Sequence, residues 1–179
     1  TSNVKSWANS ITGLPEQEVT LPVLFTSHGN PMDIHLPHKA NPFLTYLFDL
    51  GVDLRKKYPK EIKAILVVSA HWCTKGTYVN VSPWPETIYD FYGFPPEYYT
   101  IKYMAPGAPE FAKNVAEAIP AIRTTTEWGF DHGNWPMLRH LFPDANVPVF
   151  QMSIDYYQSP QYHYELAVQL KKLRTKGVL

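Results

Sequence analysis

The 179 residues predict an α/β fold, a mainly parallel sheet flanked by helices. Three observations carry the prediction. Short apolar runs rich in Val, Ile and Leu occur at 22–27 (PVLFTS), 64–70 (AILVVSA) and 147–153 (VPVFQMS), without the period-two alternation of a strand solvated on one face. Amphipathic stretches with helical spacing lie between and after them. No repeat, low-complexity tract or linker divides the chain, and its length suits one domain, 1–179, with one core.

The first run reads as a strand that leads directly into His28, where Gly29 and Pro31 announce a sharp turn. A crossover helix is expected next, over 41–59. Asn41 is its cap, Pro42 stands in the first turn, and Phe43, Leu47, Leu50 and Leu54 recur at three- and four-residue steps. The second strand ends in His71. Residues 82–109 hold many aromatics and prolines without any period, so they read as a long ordered loop, either a pocket wall or aromatic packing over a sheet edge. A second helix covers 108–119 with Phe111, Val115 and Ile119 inward. The third run follows, then a helix from Ser159 and Pro160 to a Gly177 cap. Val178 and Leu179 read as the start of another buried strand, and the chain is expected to continue beyond them.

Composition narrows the function. Sixteen basic residues balance sixteen acidic ones, so no overall field draws nucleic acid or an anionic membrane surface, and a small molecule is the expected partner. The 45% hydrophobic and 18% charged residues are those of a folded chain and not of a disordered one. Cys73 is the single cysteine, which excludes an intrachain disulfide, fits a reducing, cytoplasmic setting and leaves a metal site to His, Asp or Glu. No apolar run is long enough to span a bilayer, and residues 1–20 lack the apolar core of a signal peptide.

The chemistry lies in the histidines. In open α/β sheets ligands bind outside the carboxyl ends of parallel strands, so His28 and His71 are placed to converge on one crevice. Two neutral imidazoles plus a third donor leave positions on a metal open for substrate. Taken on their own, two histidines near strand ends are as readily hydrogen-bonded structural residues. WGFDHGNWPML sets His132 beside Asp131 between glycines and tryptophans, a rigid loop presenting a group that can bond substrate or move a proton; packing around Trp128 and Trp135 is the alternative. His35 and His38 are near enough to form a pocket rim and receive no role. His140 and His163, on apparent helices, are expected at the surface or its boundary.

SHGNPM, VVSAHW followed by TKGT, ETIYDFYGFPPEYY, KYMAPGAPE, WGFDHGNW and VPVFQMSID, in that order, resemble the LigB superfamily of class III extradiol ring-cleaving dioxygenases, and most the 4,5-DOPA dioxygenase branch. The resemblance covers nearly all of 21–179. It implies one divalent metal held by His28 and His71, with Fe(II) needed for activity and Zn(II) also compatible. It implies that His132 lines the active site as a catalytic group, and that a small aromatic diol and O2 are the substrates; substrate-binding residues and oligomeric state are left open. Two later histidine motifs of the family, a GSGNxVHN-like strand end and an EHxxP-like segment, are absent from the 179 residues. The chain therefore corresponds to the N-terminal two-thirds of such a domain, and by itself is expected to bind metal weakly or not at all. Asn30 departs from a common serine. The rival readings are a zinc hydrolase on the same two histidines, although no HExxH is present, and a non-catalytic relative like the Memo-type proteins.

Overall fold

The computed structural model describes residues 13–179. Most of the 1–20 stretch that lacks a signal-peptide core lies outside them. Helices α1 (Pro42–Lys57), α2 (Pro109–Ala118), α3 (Trp135–Leu141) and α4 (Pro160–Leu170) surround strands β1 (Ile65–Thr74), β2 (Thr77–Asn80), β3 (Ile122–Thr125) and β4 (Val149–Asp155). The sheet order is β1-β4-β2-β3. β1 pairs with β4 and β2 with β3 in parallel, while β2 meets β4 antiparallel. The expected α/β fold with a mainly parallel sheet is what the chain forms. No helix among the described residues is long and apolar enough to cross a membrane.

Alternation along the strands divides the core in two. Ile65 and Val67 of β1, with Val149 of β4, face α1, α3 and the aromatic loop; Phe150 and Met152 face α2 and α4. β4, second in the sheet, is buried at all but one position. β1 stands at the edge and exposes half of Val68, so the burial on both faces expected for its run holds for β4 and only partly for β1.

α1 starts where Asn41 Oδ1 accepts from Leu44 N, with Pro42 pre-set in the first turn. Its buried face is Leu44, Leu47, Gly51 and Leu54, with Phe43 and Leu50 half-buried, a small rotation from the expected stripe. Gly51 is the reason: a Cβ there would sit 1.9 Å from Leu141 O, so α1 and α3 cross almost backbone to backbone. Arg55 Nη1 donates to that same Leu141 carbonyl and closes the end of α3. Each fully buried Leu on this face contributes about 1.5–3 kcal/mol. α4 is capped by Ser159 and continues as a 3-10 turn, Lys171–Lys176, which ends at Gly177 with φ +86.

Three expectations are corrected. Residues 22–27 form no strand: they have no ladder partner and are tied at Leu21 to the Arg174 carbonyl, with Val23 and Phe25 exposed. β2 and β3 were not expected, since TYVN and IRTT are too short and too polar to show a period. β1 does not stop at His71 but continues to Thr74. The 82–109 segment is ordered loop, as expected, with a single 3-10 turn at Pro96–Thr100. Val178 bridges Ala64 in parallel, and Leu66 N donates to Leu179 O, which matches the strand-like reading of the last residues.

Candidate metal centre

Two loops and one strand bring three imidazoles together. His28 follows the irregular 21–27 segment, and its turn is built by short-range bonds: Ser27 Oγ accepts from Gly29 N, and Asn30 Oδ1 accepts from Met32 N to cap the 3-10 turn Pro31–His35. Gly29 has φ +75, and a Cβ on it would lie 2.5 Å from the Phe43 ring, so glycine is required on two counts.

His71 sits in an irregular stretch of β1. Val68 pairs with Met152 and Cys73 with Ile154, so residues 69–72 stand against the single residue Ser153. Extra residues on one strand re-aim its side chains, and here they turn the chain at Ser69 and His71. Ser69 Oγ accepts from His71 N and donates to Asp131 Oδ1 at 2.6 Å.

His132 is carried by a turn organised around Asp131, which is completely buried. Besides Ser69, this carboxylate accepts from Gly133 N at 2.9 Å, from Trp128 Nε1 at 3.0 Å and from Gln151 Nε2. A buried carboxylate is tolerated only when donors surround it, and these four tie the loop to β1 and β4. Gly133 lets the turn approach: an added Cβ would meet His71 Cδ2 at 2.5 Å and Ser69 Oγ at 2.6 Å.

The result is a compact cluster. His28 Nε2 and His71 Nε2 are 3.1 Å apart. Ring centroids are 5.0 Å apart for His28 and His71, 5.3 Å for His28 and His132, and 3.7 Å for His71 and His132. One donor atom from each of the three lies within 4.8 Å of the others, and all three side chains are half-buried. Two imidazole nitrogens sharing one ion at ordinary bond lengths and angles stand roughly 2.9–3.4 Å apart, so the 3.1 Å spacing fits a bound metal. Burial, followed by the neighbouring His71 and His132, lowers the pKa of His28 and favours the neutral imidazole that binds metals.

A cavity of about 390 Å³ opens beside the cluster, between the 23–28 segment and the β1 edge, with His28, His71 and Gly133 in its wall. The aromatic loop does not line it. Phe91 and Tyr98 are buried with Tyr89, Phe94 and Tyr99 in the α1-side core, so packing is what most of that loop does. Phe91 also meets the His132 ring edge-on at 5.9 Å.

The remaining histidines are elsewhere. His35 packs edge-on against Tyr98 at 4.2 Å. His163 bonds the Asp155 carbonyl and is half-buried at the boundary, as expected. His140 is corrected from surface to core: it is 2% exposed and its Nδ1 lies 3.0 Å from His38 Nδ1. Sequence reasoning passed over Asp90. From inside the aromatic loop its Oδ1 accepts from His132 N at 2.8 Å, and its Oδ2 lies 2.8 Å from His132 Nδ1. Burial works to raise the Asp90 carboxyl, but the contacts to the His132 side chain and backbone outweigh it and hold the pKa below its ordinary value. A lone acid in the apolar run YDFYGF is the signal that was available.

Known proteins resemble this chain. The profile of the family described as the catalytic LigB subunit of aromatic ring-opening dioxygenase matches residues 22–178. A 4,5-DOPA dioxygenase extradiol of Escherichia coli K12 is 39% identical over 162 residues, which is 89% of this chain and 57% of the relative. The protein of the same name from Beta vulgaris is 39% identical over 87% of this chain and 58% of its own length. The crystal structure of an uncharacterized Escherichia coli K12 protein, JW3007, superposes with a TM-score of 0.62 at 35% identity, covering 78% of this chain and 51% of that one. The chain thus spans somewhat over half the length of these curated relatives. With a profile match over nearly the whole chain and three histidines gathered from separate parts of it, the protein belongs to the LigB family of aromatic ring-opening dioxygenases.

Proposed function

We propose that the chain is the histidine-bearing part of a single LigB-type catalytic domain, one that opens the ring of a catechol such as DOPA with O2, outside the two hydroxyls. The observation that carries the reading is the pair of Nε2 atoms 3.1 Å apart at the wall of a cavity, in a chain of this family. His28 and His71 are the proposed metal ligands. Fe(II) is the metal proposed for activity and Zn(II) one that the same imidazoles accept. When bound, a redox-active divalent ion supplies an anchor for the two diol oxygens and an electron relay between the ring and O2, which zinc, lacking an accessible redox change, does not.

The protein's own residues do the rest. Metal binding replaces the hydrogen bond that otherwise links the two Nε2 atoms, and the bulge and the capped turn hold both imidazoles for it. His132 is the proposed acid/base group: its ring lies 3.7 Å from that of His71, near enough to take a hydroxyl proton from a diol seated at the cluster. The 23–28 segment and the apolar side of β1 form a wall that suits an aromatic ring and limits water.

The test is oxygen uptake by the full-length protein loaded anaerobically with Fe(II) and given DOPA or protocatechuate, with metal content measured on the same sample. Uptake with a yellow ring-opened product is expected. Bound metal without uptake across a catechol panel would overturn the reading.

A further inference from the structure

We infer that Asp90 is the positioning residue of the site, holding His132 in the tautomer that carries its proton on Nδ1 so that Nε2 is left as the working nitrogen. The inference rests on the proposed part of His132 in the reaction.

The surroundings of His132 are specific. Its Nδ1 is buried and has no aligned hydrogen bond; the one acceptor near it is Asp90 Oδ2, at 2.8 Å and off the N–H axis. The second oxygen of the same carboxylate accepts the His132 backbone N–H at 2.8 Å. One side chain therefore grips the residue at two points, main chain and ring, which fixes both the place of the turn and the rotation of the imidazole. A small turn of the ring aligns Nδ1–H with Oδ2 and satisfies the buried atom; the opposite tautomer sets a bare ring nitrogen against a carboxylate, an arrangement with no proton between two acceptors. Phe91, next to Asp90, meets the ring edge-on and blocks it from swinging toward the aromatic loop.

Asp131 is the obvious rival for this work because it adjoins His132 in sequence. Its oxygens are already committed to Ser69, Trp128, Gly133 and Gln151, so it builds the turn and does not face the ring. The two acids thus have separate roles, Asp131 placing the loop and Asp90 orienting the imidazole. A histidine that ligates a metal or works as a base typically donates its other N–H to a carboxylate, and loss of such a partner costs about 10- to 100-fold in affinity or activity.

The experiment reads the tautomer directly. Two-bond proton–nitrogen NMR on metal-free, nitrogen-15-labelled full-length protein, at a pH where the ring is neutral, should show His132 protonated on Nδ1. In Asp90→Asn the amide has one acceptor oxygen for two donors, so a mixture with the Nε2–H form should appear, and the Fe(II)-loaded variant should lose about 10- to 100-fold in kcat with little change in KM. A wild-type His132 protonated on Nε2, or a tautomer unchanged in Asp90→Asn, would overturn the inference. The wild-type spectrum suffices even if the variant does not fold. An Nδ1–H tautomer that depends on Asp90, in a protein that takes up no oxygen, would leave this inference standing while the proposed reaction fell.

Discussion

The protein brings histidines together twice, and the two meetings differ in ways that separate a candidate reaction site from a piece of core. His28, His71 and His132 come from two loops and an irregular stretch of β1, remain only partly buried, and lie beside a cavity walled by His28, His71 and Gly133, with a carboxylate behind His132. His38 and His140 meet alone, Nδ1 to Nδ1 at 3.0 Å, with His140 buried and the His38 ring stacked on Phe48. Arg139 adds a positive charge beside the second pair, and its Nη1 is spent on the Ile34 carbonyl. The first group has three donors and an open approach. The second has two, already used on each other, next to a cation that repels a metal. Closeness of histidines is common to both; number of donors, charge and access distinguish them.

The largest expected effect bears on the first cluster. Zinc bound by four ligands in small domains is held by about 10–16 kcal/mol, or roughly 2.5–4 per ligand. His28→Ala or His71→Ala in the full-length protein should therefore weaken metal retention by about 100- to 1,000-fold, measured by metal content after dialysis, while His38→Ala leaves it unchanged. Equal retention in all three would erase the distinction.

Asp131→Ala should come next, at roughly 3 kcal/mol in urea denaturation, because it strands the buried Ser69 and Gln151 donors together with the half-buried Trp128 and Gly133 ones. A loss below about 1 kcal/mol would mean that the His132 turn does not depend on that carboxylate.

Acid should act through the second pair. Burial, then the charges of His38 and Arg139, lower the pKa of His140 to about 4 from the ordinary 6.5. Between those values the unfolded chain binds the proton and the folded one does not, so stability falls as the pH drops through that window. At pH 4.5 the loss assigned to this residue is about 2–3 kcal/mol. His140→Leu should flatten the pH dependence of stability by that amount relative to wild type; parallel curves for the two proteins would show that His140 is not held neutral. The smallest effect is at the α1 cap, where Asn41→Ala should cost about 1 kcal/mol and leave metal binding alone. A change in metal retention there would show that the two regions are coupled through α1.

Much of this was legible in the residues. The runs at 64–70 and 147–153 became β1 and β4 because they are long enough and apolar enough to mark themselves, and Asn41, Ser159 and Gly177 marked helix ends by side-chain chemistry that acts locally. His28, His71 and His132 were picked out in advance, and the fold does gather them. The run at 22–27 misled for a physical reason: β-type residues supply a surface to pack but not the neighbouring ladder that makes a strand, and no described strand lies against it.

What the sequence determined by itself, then, is whatever depends on near neighbours: helix caps, strand runs, the turn at Gly29 and the identity of the three histidines. Tertiary structure alone decided which distant groups meet. It chose Asp90 over Asp131 to face the His132 ring, put His140 in the core beside His38, and demanded glycine at 51 and 133, where Leu141, Ser69 and His71 approach from far along the chain. Those outcomes are set by the crossing of α1 over α3 and by the four residues of β1 that stand against one of β4, and no local pattern encodes them.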